Sequence, residues 1–120
     1  MVNLTIEVTH PPFGHENTFA GLYVAVTSLA KGMNVSVILH GDGVYTGLKG
    51  QIDPEKNINM LSTEDQLDDI LAMGGRIIAY TDALIHRGIS AEELIDGIEI
   101  KNSSEIYDLM IDETDKILAF

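Results

Sequence analysis

The sequence predicts an α/β protein with a mainly parallel sheet that helices cover on both faces. Segments with strand-like apolar patterns alternate along the chain with segments whose apolar residues recur at helical spacing. Strands that alternate with helices favour parallel pairing, because each connection crosses one face of the sheet. The 120 residues contain no internal repeat and no linker-like tract, so we expect a single domain covering residues 1–120.

The first part of the chain predicts two strands around one helix. In "VNLTIEVTH" every second residue is apolar, and the strand ends before Pro11 because proline cannot continue a sheet ladder. Apolar residues at helical spacing predict a helix from about Glu16 to Lys31, followed by Gly32 in a left-handed C-terminal position. The nearly continuous apolar run in "NVSVILH" predicts a second strand that is buried on both faces.

The middle of the chain predicts a long loop, a helix and a third strand. Glycine and polar residues dominate from Gly41 to Asn57, so we expect an irregular segment longer than most loops and a candidate functional loop. Ser62 or Thr63 opens a helix that closes at Gly74, and "IIAY" is the third strand.

The last third predicts shorter elements. A short helix from Asp82 to Arg87 follows the third strand directly, and Ser90 and Glu93 stand at capping-box spacing at the start of another helix in "ISAEELID". The segment "GIEIKN" is either a minor strand or a turn. The spacing of apolar residues around Ile106 predicts a further helix, and "KILAF" is the last strand.

The charge balance excludes some partners. Lys and Arg total 7 against 19 Asp and Glu, which gives a net charge of −12 and a pI of about 4.4. A chain this acidic repels phosphate backbones and anionic membrane surfaces, so neither nucleic acid nor a membrane is an expected partner.

The absence of cysteine excludes disulfides, thiolate chemistry and zinc–sulfur sites in this chain. The first residues, "MVNLTIEVTHPPFG", lack the basic and apolar regions of a signal peptide. No apolar run approaches the roughly 20 residues that span a bilayer. We therefore expect a cytoplasmic protein.

The predicted sheet brings three chain segments to one edge. Ligands of open parallel sheets bind beyond the carboxyl ends of the strands. In this sequence that edge collects His10 to Glu16, His40 to Tyr45, and Tyr80 to Asp82. Their side chains are the candidate functional residues.

Two motifs near this edge have more ordinary explanations. "GDGVYTG" lacks the third glycine of a dinucleotide fingerprint and the Gly-Lys-Ser/Thr of a phosphate loop, and Asp42-Gly43 suits a plain turn. His10, His15 and His40 all follow strands, but no spacing ties two of them into a metal site. We therefore predict neither a cofactor nor a metal, and we expect that the histidines do not converge on a metal site.

Several segments together resemble the DsrE/DsrF-like (TusD-like) sulfur-relay family. These are the loop "HPPFGHEN", the helix end and strand "LAKGMNVSVIL", the segment "GDGVY", the helix end "ALIHRG", and the final "DETDKILAF". The resemblance runs nearly from end to end. It implies a three-layer α/β/α sandwich around a mainly parallel sheet of about five strands, and assembly into trimers or into hexamers of stacked trimers.

The resemblance also implies what this chain lacks. Sulfur-transferring members carry a persulfide on a cysteine just before the "ALRRG"-type helix, and counting back from Gly88 places that position at Tyr80. A helix N-terminus activates a thiol by stabilising its thiolate. A phenol holds no persulfide sulfur, so the chain by itself cannot act as a persulfide sulfurtransferase.

We therefore expect a non-catalytic or accessory oligomeric protein of the DsrE type, without an assigned catalytic residue. It would associate with itself or with related subunits, as a partner in sulfur metabolism. The pocket at the strand ends would take a small anion or polar metabolite. Two alternatives stay open: an acid–base or metal-dependent enzyme that uses His15 or His40 with Tyr80 or Asp82, and an edge that serves as a subunit interface. The predicted pocket residues are Phe13, His15, His40, Asp42, Tyr45, Tyr80 and Asp82.

Overall fold

The computed structural model describes residues 2–12, 16–50 and 62–120, which form a five-stranded, wholly parallel sheet with helices on both faces. The strand order is β4-β3-β2-β1-β5. The strands are β1 (Asn3–Val8), β2 (Asn34–Leu39), β3 (Arg76–Tyr80), β4 (Glu99–Lys101) and β5 (Lys116–Ala119). The helices are α1 (Glu16–Ala30), α2 (Thr63–Ala72), α3 (Thr81–His86) and α4 (Ser103–Asp112). The predicted three-layer α/β/α architecture is confirmed.

One face of the sheet forms the main hydrophobic core. Leu4, Ile6 and Val8 alternate along β1 and are almost completely buried, as the period of two in the sequence predicts. In the same core, Leu22 comes from α1 and Ile70 from α2. These helices pack on the face of the sheet that carries the odd-numbered apolar residues of β2 and β3.

The opposite face is only partly covered. Ile106 and Leu109 of α4 pack on Ile38 of β2 and Ile78 of β3. At the edge of the sheet, all four residues of β5 are exposed. This face is therefore covered by α4 over β2 and β3 and is exposed along the edge strand β5.

Local sequence signals define the ends of the helices. The Ser62 hydroxyl accepts a hydrogen bond from the backbone N–H of Asp65 and caps α2. Asn102 and Glu105 form a capping box at the start of α4. Gly32 adopts a φ of +88°, which confirms its left-handed position.

The segment that follows β2 differs from the sequence prediction. Gly41–Gly47 is a 3-10 helix, so the expectation of an irregular loop from Gly41 is wrong for these residues; the part from residue 51 to 57 lies outside the described residues. A side chain at Gly43 would overlap the backbone carbonyl of Val8. Glycine is needed here because the 3-10 helix packs directly against β1, which is a packing role and not a nucleotide-binding one.

The last third largely matches its prediction. Ser90 and Glu93 form the expected capping box, but it starts a single 3-10 turn (Ala91–Glu93) instead of an α-helix. The segment "GIEIKN" contains the edge strand β4, which confirms the strand alternative. Among the helices of the described part of the chain, none has the length and apolar character needed to cross a membrane.

Candidate functional site

Three neighbouring strands bring Glu7, His40 and Tyr80 to the same face of the sheet at its carboxyl edge. The register pairs Glu7 with Ile38, and Ile38 with Ile78. Paired residues of parallel strands share a face, and residues two apart along one strand share it too. His40 follows Ile38 by two residues and Tyr80 follows Ile78 by two, so both lie just beyond Glu7 on the α4 side.

His40 is the central residue of this group. Its Nε2 lies 3.7 Å from the Glu7 Oε1, and the two side chains are 21% and 23% exposed. This distance is too long for a hydrogen bond, and Nε2 is shielded from solvent without another partner among the residues that the structure describes. Burial lowers the pKa of His40 from its usual 6.5, and the Glu7 carboxylate offsets part of this decrease. His40 is therefore held as a neutral imidazole that lacks one hydrogen bond.

Tyr80 forms the second half of the group. Its ring centroid lies 5.5 Å from that of His40, and the ring planes are tilted by 42°. The Tyr80 hydroxyl donates a hydrogen bond of 3.0 Å to the Asp82 Oδ2 in the first turn of α3. This bond to a carboxylate raises the pKa of Tyr80 above its usual 10.0, because the phenol proton is the one that Asp82 accepts. The hydroxyl is therefore held in its protonated form.

The arrangement favours particular ligands. The Glu7 carboxylate lies beside the His40 imidazole and the Asp82 carboxylate is bound to the Tyr80 hydroxyl, and no Lys or Arg forms an ion pair with either carboxylate among the described residues. A site of this composition attracts hydrogen-bond donors and cations more than anions. A buried polar atom without a partner costs about 1–3 kcal/mol, so a ligand or a small shift of Glu7 that completes the bond to His40 is favourable.

The predicted pocket residues do not all meet. Phe13 and His15 lie outside the described residues. Asp42 pairs with Arg87, whose Nη2 lies 3.0 Å from the Asp42 Oδ1, so its carboxylate links the 3-10 helix to the end of α3. Tyr45 is partly buried within the same 3-10 helix. The structure thus brings His40, Tyr80 and Asp82 together and gives Asp42 a structural partner.

Glu7 belongs to the site although sequence reasoning did not select it. In an alternating strand, a polar residue between Ile6 and Val8 is typical of a solvent-facing position. Only the register of β1 against β2 places Glu7 beside His40. The alternation does contain one usable signal, since it puts Glu7 on the face opposite the main core.

The other histidines of the described segments have separate positions. The His10 Nδ1 donates to the backbone carbonyl of Phe120 at 3.1 Å, which ties the end of β1 to the end of β5. His86 is exposed at the end of α3. Within the described part of the chain, no group of three or more His, Asp or Glu residues is arranged to hold a metal ion.

Comparisons with known proteins agree with this architecture. The family model described as "DsrE/DsrF-like family" matches residues 3–120. An uncharacterized protein from Methanopyrus kandleri is 29% identical over 117 residues, which cover 98% of this chain and 93% of that protein. Protein YchN from Escherichia coli K12 is 29% identical over 122 residues and is covered completely.

Solved structures give the same result for the fold. The crystal structure of the ychN protein from E. coli superposes with a TM-score of 0.89 at 26% identity, and the match covers 100% of both chains. A protein of unknown function from Methanobacterium thermoautotrophicum has a TM-score of 0.75 at 13% identity, covering 98% of this chain and 99% of that one. The second likeness concerns the fold alone.

Proposed function

The chain belongs to the DsrE/DsrF-like family, and we propose that it acts there as an oligomeric binding protein and not as a persulfide carrier. Tyr80 occupies the position at which the sequence motifs place the cysteine of the sulfur-transferring members. The chain has no cysteine at any position. Chemistry that needs a thiolate therefore has to come from another subunit. We propose that this chain acts beside a related, thiol-bearing subunit in sulfur metabolism.

The proposed ligand is a small polar molecule that donates hydrogen bonds. The observation that carries the proposal is the convergence of Glu7, His40 and Tyr80, with His40 Nε2 shielded and without a hydrogen-bond partner among the described residues. In the tautomer that leaves Nε2 unprotonated, this nitrogen accepts a hydrogen bond from the ligand. Two carboxylates, Glu7 and Asp82, line the same group. An anion, which the sequence left open, is less favourable here than a neutral or cationic molecule with N–H or O–H donors.

Self-association is the second part of the proposal. Large apolar side chains are exposed on α4 and β5: Ile111 is 77% exposed, Tyr107 51%, Ile117 45% and Leu118 42%. Exposed apolar groups of this size are typical of protein interfaces. An exposed edge strand such as β5 also exposes backbone groups that tend to pair with another chain. We propose that a second copy or a related subunit covers this surface; the trimer or hexamer expected from the family resemblance stays a prediction.

Native mass spectrometry tests both parts at once. The protein purified under mild conditions should run as an oligomer and retain a small molecule that acid or solvent releases. The variant His40→Gln should lose the retained molecule, whereas His86→Gln, which changes an exposed histidine on α3, should keep it. Equal retention by wild type and His40→Gln would contradict the binding site.

One observation favours a second candidate, an acid–base enzyme. A neutral imidazole beside a carboxylate is the usual arrangement of a general base, and burial lowers the pKa of His40 toward that state. If a reaction is found, His40→Ala and Tyr80→Phe should reduce its rate by about 10²–10⁴-fold without unfolding the protein. A rate that both variants leave unchanged excludes this candidate.

A further inference from the structure

A cavity lies at the amino-terminal edge of the sheet, opposite the edge that carries the His40 group. It has a volume of about 220 Å³ and lies between the starts of β1, β2 and β3 and the end of α4. A neighbouring cavity of about 180 Å³ shares Arg76, Leu109 and Glu113 with it, so the two continue into each other around these side chains. Ligand pockets for drug-sized molecules measure roughly 300–1,000 Å³, so each cavity suits only a small metabolite.

Arg76 is the cation of this cavity, and its binding capacity is only partly used. Its Nε donates to the Glu99 Oε2 at 2.9 Å and its Nη2 donates to the Glu99 Oε1 at 3.0 Å. A guanidinium has five N–H donors, so two on Nη1 and one on Nη2 have no acceptor among the described residues. Ser36 is the register partner of Arg76 on β2 and lines the same cavity. Together they form a place for a carboxylate.

Glu113 provides the opposite charge. It is the C-cap of α4, and its carboxylate lines both cavities within electrostatic range of Arg76. The carbonyl end of a helix carries a partial negative charge, which favours a cation at this place as well. The other charged pair of the neighbouring 180 Å³ cavity is Lys101 and Glu105, whose charged groups lie 3.4 Å apart and pair with each other. Arg76 and Glu113 are thus the charges that face a ligand.

We propose that this cavity binds a small zwitterion with the chemistry of an α-amino acid. The ligand carboxylate would pair with the open side of Arg76 and with Ser36, and its ammonium group would pair with Glu113 and the carbonyl end of α4. A simple anion fits less well, because Glu99 and Glu113 flank Arg76 and the chain has a net charge of −12. A simple cation fits less well, because Arg76 repels it. This site is separate from the His40 group and does not depend on the function proposed there.

Nuclear magnetic resonance titration of the ¹⁵N-labelled protein tests the proposal with three matched probes. L-alanine carries both charges, N-acetyl-L-alanine carries only the carboxylate, and L-alaninamide carries only the ammonium group. L-alanine, at concentrations up to about 10 mM, should shift the backbone amides of Ser36, Arg76 and Thr114 in a saturable way. Each half-ligand should bind at least about tenfold more weakly.

Two variants assign the charges. Glu113→Gln should remove the preference for L-alanine over N-acetyl-L-alanine, and Arg76→Gln should weaken both. The matched controls Glu92→Gln and Arg87→Gln, which lie elsewhere, should bind L-alanine as the wild type does. The proposal is overturned if L-alanine gives no saturable shift, if all three probes bind alike, or if N-acetyl-L-alanine binds best. If Arg76→Gln does not fold, Glu113→Gln alone decides the outcome.

Discussion

The Glu7 Oε1 and the His40 Nε2 face each other at 3.7 Å, a distance at which the two groups interact electrostatically without forming a hydrogen bond. Neighbouring strands hold both side chains in place, and each is about one-fifth exposed. The pair is therefore partly shielded but incomplete. The first prediction concerns the protonation of His40 in this pair.

The pH dependence of stability reports the state of His40. Because burial lowers the pKa of His40 below 6.5, the folded protein binds this proton less readily than the unfolded chain does. The stability that the neutral form of His40 contributes to the folded protein is complete above pH 6.5. It is lost as the pH falls from 6.5 through the lower pKa of the folded state. Urea unfolding between about pH 5 and pH 8 should show this loss in the wild type, and His40→Gln should flatten the profile. If the free energy of unfolding of His40→Gln depends on pH as that of the wild type does, the pH dependence does not come from His40. His86→Gln is the control, and its pH dependence should match that of the wild type.

Gly43 should tolerate no side chain. In Gly43→Ala the new Cβ overlaps the Val8 carbonyl, so the 3-10 helix has to move away from β1. We expect the free energy of unfolding to fall by at least about 2 kcal/mol in urea titrations. Gly50→Ala is the matched control, because its φ of +71° causes strain while no atom of the described residues lies within 4 Å of the new Cβ. It should cost about 1 kcal/mol. Equal losses in the two variants would mean that the close approach to β1 is unimportant.

The pair Asp42–Arg87 should be structural and weak. Arg87 Nη2 lies 3.0 Å from Asp42 Oδ1, but the Asp42 side chain is 57% exposed and water screens the pair. A double-mutant cycle with Asp42→Asn and Arg87→Met should give a coupling of about 0.2–1 kcal/mol. The Arg87 change should cost more than the Asp42 change, because Arg87 also donates to the Ala83 carbonyl at 3.1 Å. A coupling far above this range would require a role for Asp42 that the ion pair does not explain.

The exposed apolar residues of α4 and β5 should control assembly. Ile111→Lys and Ile117→Lys insert a charge into the proposed subunit interface, which is unfavourable when the surface is buried between chains. Light scattering coupled to size exclusion should show smaller particles for both variants. Ile85→Lys, on α3, changes a residue that is similarly exposed at 67% and should leave the mass unaltered. An assembly that survives both changes on α4 and β5 would place the interface elsewhere.

The sequence predicted the elements better than it predicted their contacts. Alternation in β1 and the continuous apolar run in β2 depend on local burial, so both strands follow from the sequence. The need for glycine at position 43 does not, since the space for a side chain there is removed by the backbone of Val8, a residue 35 positions away. The same is true of Glu7, which reaches His40 only through the register of β1 and β2. Tyr80 and Asp82 were predicted to lie at the site because a strand end followed by a helix start is a local pattern.

Fragment screening by nuclear magnetic resonance on the ¹⁵N-labelled protein tests the central claim, that the His40 group is a binding site for a small polar ligand. Fragments with N–H or O–H donors should shift the backbone amides of Glu7, His40, Tyr80 and Asp82 together, and His40→Gln should remove these shifts. Binding that leaves all four amides unchanged and appears only on other surfaces would contradict the account.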